Sequence, residues 1–91
     1  MKVHFIKSPN PNKKYRAVFD DGTHTDFGAV GYSDFIFLKD EKRKKAYLDR
    51  HRARENWNDY KSAGALSRWI LWNLPTFEAS VSAYKRRFGL D

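Results

Sequence analysis

The chain has 91 residues, the size of one domain, and its 18 Lys and Arg against 11 Asp and Glu give a net charge of +7. The absence of cysteine excludes a disulfide scaffold and thiol chemistry. No signal segment is visible, and the longest apolar runs are far shorter than the roughly 20 residues of a membrane-spanning helix. The positive charge favours acidic partners, such as nucleic acid, anionic membrane surfaces or acidic proteins.

The first forty residues carry strand and turn signals. Alternating apolar residues predict a short strand near 2–6. A second alternation surrounds Asp21 and Gly22, a pair typical of the two-residue type I′ loop, and predicts a hairpin at about 14–27. The aromatic and β-branched run that follows two glycines predicts a further strand near 34–38.

Three helices are expected after this sheet, near 41–53, 63–73 and 77–88. Apolar residues recur there at intervals of three and four, which is the helical period. A residue suited to capping precedes each helix: Asp40, Ser62 and Thr76. Strands followed by helices indicate an α+β fold, formed by one domain over 1–91.

Basic residues concentrate in the first of these helices and in the last turn of the third. Lys42 to Lys45 cover all sides of a helix, so two interpretations remain open. One is a solvated helix, and the other is contact with phosphates or an acidic protein surface. The candidate contact residues are Lys42, Arg43, Lys44, Lys45, Arg50, Arg52, Arg54, Lys85, Arg86 and Arg87.

The aromatic residues at helical spacing are expected to form the core. Candidates for exposed rings, which could stack on bases, are Tyr15, Tyr32, Trp57 and Tyr60. The three histidines lack metal-ligand spacing, and no phosphate-binding glycine loop or nucleophile elbow is found. His51, Glu55 and Asn56 offer a catalytic alternative of the metal-dependent nuclease kind, in which His51 and Glu55 would share a helix face at i, i+4, but their spacing matches no known nuclease. The sequence therefore predicts a protein that is not an enzyme and that needs no metal or cofactor.

Four segments carry a family resemblance, at 14–28, 31–35, 47–57 and 62–73. They resemble short basic proteins of nucleocytoplasmic large DNA viruses, including the algal-virus relatives. The resemblance implies a structural minor capsid protein located in the virion, and in host cytoplasm or nucleus during assembly. Its implied partners are the major capsid protein and other minor capsid proteins, with no small-molecule substrate. The alternative is a DNA-binding protein without sequence specificity, and an anionic membrane surface is a further possible partner.

Overall fold

The computed structural model describes residues 1–91 and has a three-stranded sheet followed by helices, which confirms the α+β prediction. The helical segment α3 begins as α-helix and continues as a π-helical turn. The strands and helices are β1 (Val3–Lys7), β2 (Lys13–Phe19), β3 (His24–Ala29), α1 (Phe35–Leu38), α2 (Glu41–His51), α3 (Ala63–Leu66 and Ser67–Leu71) and α4 (Phe77–Phe88). No helix has the length and apolar character needed to cross a membrane.

The sheet is an antiparallel meander in the order β1-β2-β3. Because side chains alternate along a strand, the pairs Val3 with Phe19 and Tyr15 with Phe27 share the face that meets the helices. On the other face Arg16 lies opposite Asp26, and its Nε donates to the Asp26 carboxylate at 2.8 Å. This ion pair keeps the pKa of Asp26 below its ordinary value.

The hairpin predicted at 14–27 is formed by β2 and β3, but its loop is not a type I′ turn. The Gly22 N–H donates to the Phe19 carbonyl, and the Phe19 N–H donates to the Thr23 carbonyl. Gly22 has a φ of +89° whereas Asp21 does not have a positive φ. A type I′ turn requires positive φ at both central residues. The loop therefore places only the glycine in the left-handed region, and the Asp21 side chain instead accepts from the Thr23 N–H and hydroxyl.

The prediction of a strand near 34–38 is wrong, because Phe35–Leu38 forms the single helical turn α1. Asp34 caps this turn by accepting from the Phe37 N–H at 3.1 Å. Lys39 ends it in the left-handed conformation and donates its N–H to the Phe35 carbonyl. A local cap thus outweighs the strand preference of an aromatic run that has no neighbouring strand to pair with.

The three predicted helices are present, and two of them end earlier than expected. The first ends at His51 rather than at about 53, and the second ends at Leu71 rather than at about 73. In the second, the Trp72 N–H donates to the Ser67 carbonyl, the i to i+5 bond of a π-helical turn. The third spans Phe77–Phe88 as predicted. The side chains expected to cap them accept the predicted backbone hydrogen bonds: Asp40, Ser62 and Thr76.

The core lies between the sheet and the second half of the chain. One half of it comes from the strands, and the other from α3 and α4, with α4 packed against the π-helical turn. Tyr84 is fully buried, and its hydroxyl donates to the Tyr60 carbonyl at 2.6 Å. The buried cluster consists of Val3, Ala17, Phe19, Phe27, Leu66, Ile70, Leu71 and Tyr84.

Candidate functional site

The largest concavity is a groove of about 650 Å³ beside the sheet. The start of β2 and the end of β3 form one wall, and α2 and α3 form the others. The loop that joins β3 to α1 closes one end with Tyr32 and Asp34. Four Lys and Arg side chains line the groove against two carboxylates, so its lining carries excess positive charge with histidine neutral.

One face of α2 contributes to the groove. Arg43, Ala46, Tyr47 and Arg50 line it, at the i, i+3, i+4 and i+7 positions of a single helical stripe. The two guanidinium groups therefore point to the same side of the helix, with a buried tyrosine between them. The basic residues of this helix cover several faces, as predicted, but only this pair faces the groove.

A stack of three rings lies along the groove. The Tyr47 and Trp72 rings are nearly parallel, with centroids 4.4 Å apart, and the His51 ring stacks on Tyr47 at 4.2 Å. Burial raises the pKa of Tyr47 well above its ordinary value, and the Glu55 carboxylate adds to this effect. The three stacked rings all line the groove and give it an aromatic part that is held by packing.

Both carboxylates of the groove already have partners. Asp34 accepts from Lys14 Nζ at 2.7 Å, and the hydrogen bond between His51 Nδ1 and Glu55 Oε1 is also 2.7 Å. Glu55 Oε2 accepts from the Trp57 indole N–H at 3.0 Å. Each negative charge is thus engaged within the protein and competes only partly for the remaining cations of the groove.

Three cations remain without a close carboxylate partner. Lys13 and Arg50 form no salt bridge, and Arg43 has only Asp40 at 4.0 Å. They come from β2 and from both ends of α2. We call Lys13, Arg43 and Arg50 the groove cations. Their arrangement can bind an anion, because guanidinium and ammonium donors line the same groove and none has a carboxylate closer than 4.0 Å.

Most of the other predicted contact residues of α2 lie outside the groove. Lys42 and Lys45 are exposed elsewhere on the helix, and Lys45 pairs with Asp49 at 2.7 Å. Lys44 Nζ donates to the Asn73 carbonyl at 2.7 Å and lies 4.8 Å from the centre of the Phe35 ring. Lys44 therefore joins α2 to the end of α3, and its charge is directed inward.

The remaining predicted residues divide into two places. Arg52 and Arg54 are exposed just after α2 and do not line the groove. Arg86 and Arg87 line a separate cavity, while Lys85, one residue before them on α4, lines neither. The structure thus brings Arg43 and Arg50 together and separates them from the C-terminal basic residues.

Sequence reasoning missed Lys13, because a lysine at the start of a strand gives no indication of which helix or strand will lie opposite it.

Of the four aromatic rings predicted to be exposed, Tyr32 is exposed, with 75% of its surface accessible. Tyr15 and Tyr60 pack instead against the core, and Trp57 is half-buried. His51 and Glu55 do not share a helix face as expected, because α2 ends at His51, but a hydrogen bond joins their side chains. No group of three or more His, Asp or Glu side chains is arranged to hold a metal ion.

These features define the protein as a small α+β domain with a cationic, aromatic-lined groove. The chain belongs to the family of unknown function DUF5754, whose model matches residues 3–51. No curated protein and no solved structure matches the chain. The matched range runs from β1 to the end of α2, and it contains all three groove cations. The family description carries no function, so the role in large DNA viruses stays a prediction.

Proposed function

We propose that this protein binds nucleic acid through its phosphate backbone, without reading the base sequence. The single observation that carries the proposal is the set of groove cations, which line one groove and have no carboxylate closer than 4.0 Å. Phosphate oxygens supply the negative charge that such a site lacks, and Lys and Arg are their usual protein ligands. The net charge of +7 supports association with a polyanion.

The side of α2 that lines the groove is not free to enter the major groove and read base edges, which supports backbone binding. The basic residues of the groove come from a strand and from one side of α2, and that side also packs through buried Tyr47. A helix that enters the major groove would need a free polar face directed outward. Tyr32, exposed at the end of the groove, offers a ring on which an unpaired base can stack irrespective of sequence.

Fluorescence anisotropy with short labelled DNAs of unrelated sequence tests this function. We expect similar affinities for all sequences and a steep loss of affinity between about 50 and 200 mM salt, because bound counterions are released. Replacement of the groove cations by glutamine should reduce the slope of log K against log salt by about 2 to 3, at roughly 0.9 per phosphate contact. The variant is Lys13→Gln, Arg43→Gln, Arg50→Gln.

A charge-matched control separates the groove from net charge. Lys2→Gln, Lys7→Gln, Lys42→Gln removes three exposed cations that lie outside the groove and form no salt bridge. This control should keep most of the wild-type affinity. Absence of DNA binding by the wild type at low salt would refute the proposal, and equal losses in the two triple variants would refute the groove as its site.

The second candidate function is the structural role in a virus capsid, as a minor capsid protein under the major capsid shell. The observation that favours it is an exposed aromatic pair near α1, because Phe37 is 79% exposed, Tyr32 is 75% exposed, and both line one shallow cavity. Exposed apolar side chains grouped in this way are typical of protein contacts. Phe37→Ser should then abolish incorporation into virions while DNA binding persists. Absence of the wild-type protein from purified virions would exclude this role.

A further inference from the structure

A second cluster of cations lies between α3 and α4. A cavity of about 440 Å³ is lined there by Trp69, Asn73 and Ala83 together with Arg86 and Arg87. The Arg87 guanidinium carbon lies 3.7 Å from the centre of the Trp69 ring, and that of Arg68 lies 4.2 Å from the same ring. Both distances lie within the range of cation–π contacts, so the Trp69 indole contacts two guanidinium groups.

This cluster has no counter-charge. Neither Arg68 nor Arg87 forms a salt bridge, and the same holds for Arg86 and Arg52. The Nε atom of Arg68 is buried and has no hydrogen-bond partner. Burial lowers the pKa of Arg68, and repulsion from Arg87 and Arg52 lowers it further. Arg68 does not itself line the cavity, but guanidinium groups that repel one another without a counter-charge are the condition under which a bound anion stabilises a site.

Hydrogen bonds to backbone carbonyls fix two side chains beside the cavity. Arg68 Nη1 donates to the Trp72 carbonyl at 2.9 Å, and the Trp69 indole N–H donates to the Trp57 carbonyl at 2.8 Å. These bonds hold Arg68 and Trp69 in place before any ligand arrives. The exposed side chains of Arg86 and Arg87 remain available to form charge-assisted bonds with a phosphate group.

The cavity is distinct from the groove. The two share no lining residue. Trp69 and Asn73 line this cavity, whereas Ser67 and Leu71 of the same segment line the groove. Residues two apart on a helix point to different sides. The protein therefore has two separate cationic concavities on a body of only 36 × 28 × 25 Å.

We propose that the cavity at Trp69, Arg86 and Arg87 binds a phosphate group of a second nucleic-acid segment, so that one domain bridges two segments. The inference rests on the proposed function, since the groove would hold the first segment. A nucleic-acid phosphate is favoured because the same polyanion already suits the groove. Two sites on one rigid body raise the local concentration of the second segment once the first is bound.

Energy transfer between two short duplexes, one labelled with a donor and the other with an acceptor, measures bridging. The wild type should produce transfer at intermediate protein concentration and lose it at excess protein, when each duplex is saturated separately. Arg86→Gln, Arg87→Gln should reduce the maximal transfer to about a tenth, because the avidity of the second site is lost. The affinity of this double variant for a single duplex, measured by fluorescence anisotropy, should change by no more than about threefold.

Three controls make the result specific. Lys2→Gln, Lys7→Gln removes the same charge from β1 and its flank and should bridge like the wild type. Sedimentation without DNA should show a monomer, since a stable dimer that accounted for the transfer would overturn the inference. Circular dichroism should show that Arg86→Gln, Arg87→Gln is folded, as expected from its exposed positions.

A direct readout comes from the Trp69 indole N–H resonance. It should shift when a short oligonucleotide is added to the triple variant of the groove cations, in which only the second site is intact. Wild-type bridging that persists in Arg86→Gln, Arg87→Gln would overturn the inference, as would an unmoved Trp69 resonance. If the wild type binds one duplex without bridging two, the inference fails and the proposed function stands. If it binds no duplex, the proposed function itself fails.

Discussion

The Tyr47 and Trp72 rings stack face to face, with planes only 7° apart and centroids 4.4 Å apart. This contact joins α2 to the end of α3 across the groove. Tyr47 is buried, whereas Trp72 is half-buried and lines the groove. The stack therefore links the packing of the second half of the chain to the position of the groove cations on α2.

Loss of this stack should destabilise the fold. Trp72→Ala is expected to lower the free energy of unfolding by about 3 kcal/mol, because it removes a large ring and leaves a cavity against Tyr47. Urea denaturation followed by circular dichroism measures the change. Tyr32→Ala serves as the control, since this exposed ring should contribute less than about 0.5 kcal/mol. Equal effects of the two substitutions would contradict the role of the stack.

The cap of α1 should be a second sensitive point. Asp34 accepts from the Phe37 N–H and from Lys14 Nζ, and its side chain is largely buried. Asp34→Ala is expected to cost about 2 kcal/mol of unfolding free energy, because both donors lose their acceptor. Asp34→Asn should cost less, since its amide oxygen can still cap the helix. A smaller loss in Asp34→Ala than in Asp34→Asn would refute this account.

The strands and helices that could be predicted are those whose sequence signal lies within the segment itself. The alternation around Gly22 predicts the β2–β3 hairpin, and the stripe from Phe77 to Phe88 predicts α4 with its Thr76 cap. In both cases the signal and the structure lie within one segment. The turn type at Asp21 was not predictable from the residue pair alone, because an Asp-Gly pair also fits a longer loop in which only the glycine is left-handed.

Contacts between distant residues explain what the sequence could not show. Asp34 is held by Lys14, twenty positions earlier, so the helical turn at 35–38 depends on a tertiary ion pair. The groove likewise requires Lys13 of β2 and Arg50 of α2 to line the same concavity. The spacing of Arg43, Tyr47 and Arg50 would have indicated one helix face, but only the fold shows that this face borders a groove.

Alkaline pH should weaken the fold through its buried tyrosines. Burial raises the pKa of Tyr47 and of Tyr84 above the ordinary value, so the folded state retains their protons when the unfolded chain has lost them. The contribution of the two protonated tyrosines to the free energy of unfolding is fully present below the tyrosine pKa of the unfolded chain, about 10. It is lost as pH rises through their higher pKa values in the folded state. Urea unfolding above about pH 10 should therefore show decreasing stability. Tyr47→Phe should show a shallower decrease, and an identical pH dependence would contradict the assignment.

Removal of a groove carboxylate should strengthen DNA binding. Glu55→Gln eliminates one negative charge beside the groove cations, while the amide oxygen can still accept from the Trp57 indole. We expect an affinity increase of about threefold at low salt, and a smaller one at high salt because the interaction is screened. Glu41→Gln, on an exposed part of α2 outside the groove, should change the affinity less. Weaker binding by Glu55→Gln would argue against the groove.

The core shared between the sheet and the later helices makes the two halves of the chain interdependent for folding. The family match stops at residue 51, yet the strands within it direct Phe19 and Phe27 against Leu66, Ile70 and Tyr84. An excised segment 3–51 would leave that sheet face open to water and prone to self-association. The chain should consequently unfold in a single cooperative transition, and the folding unit extends well past the segment that the family model matches.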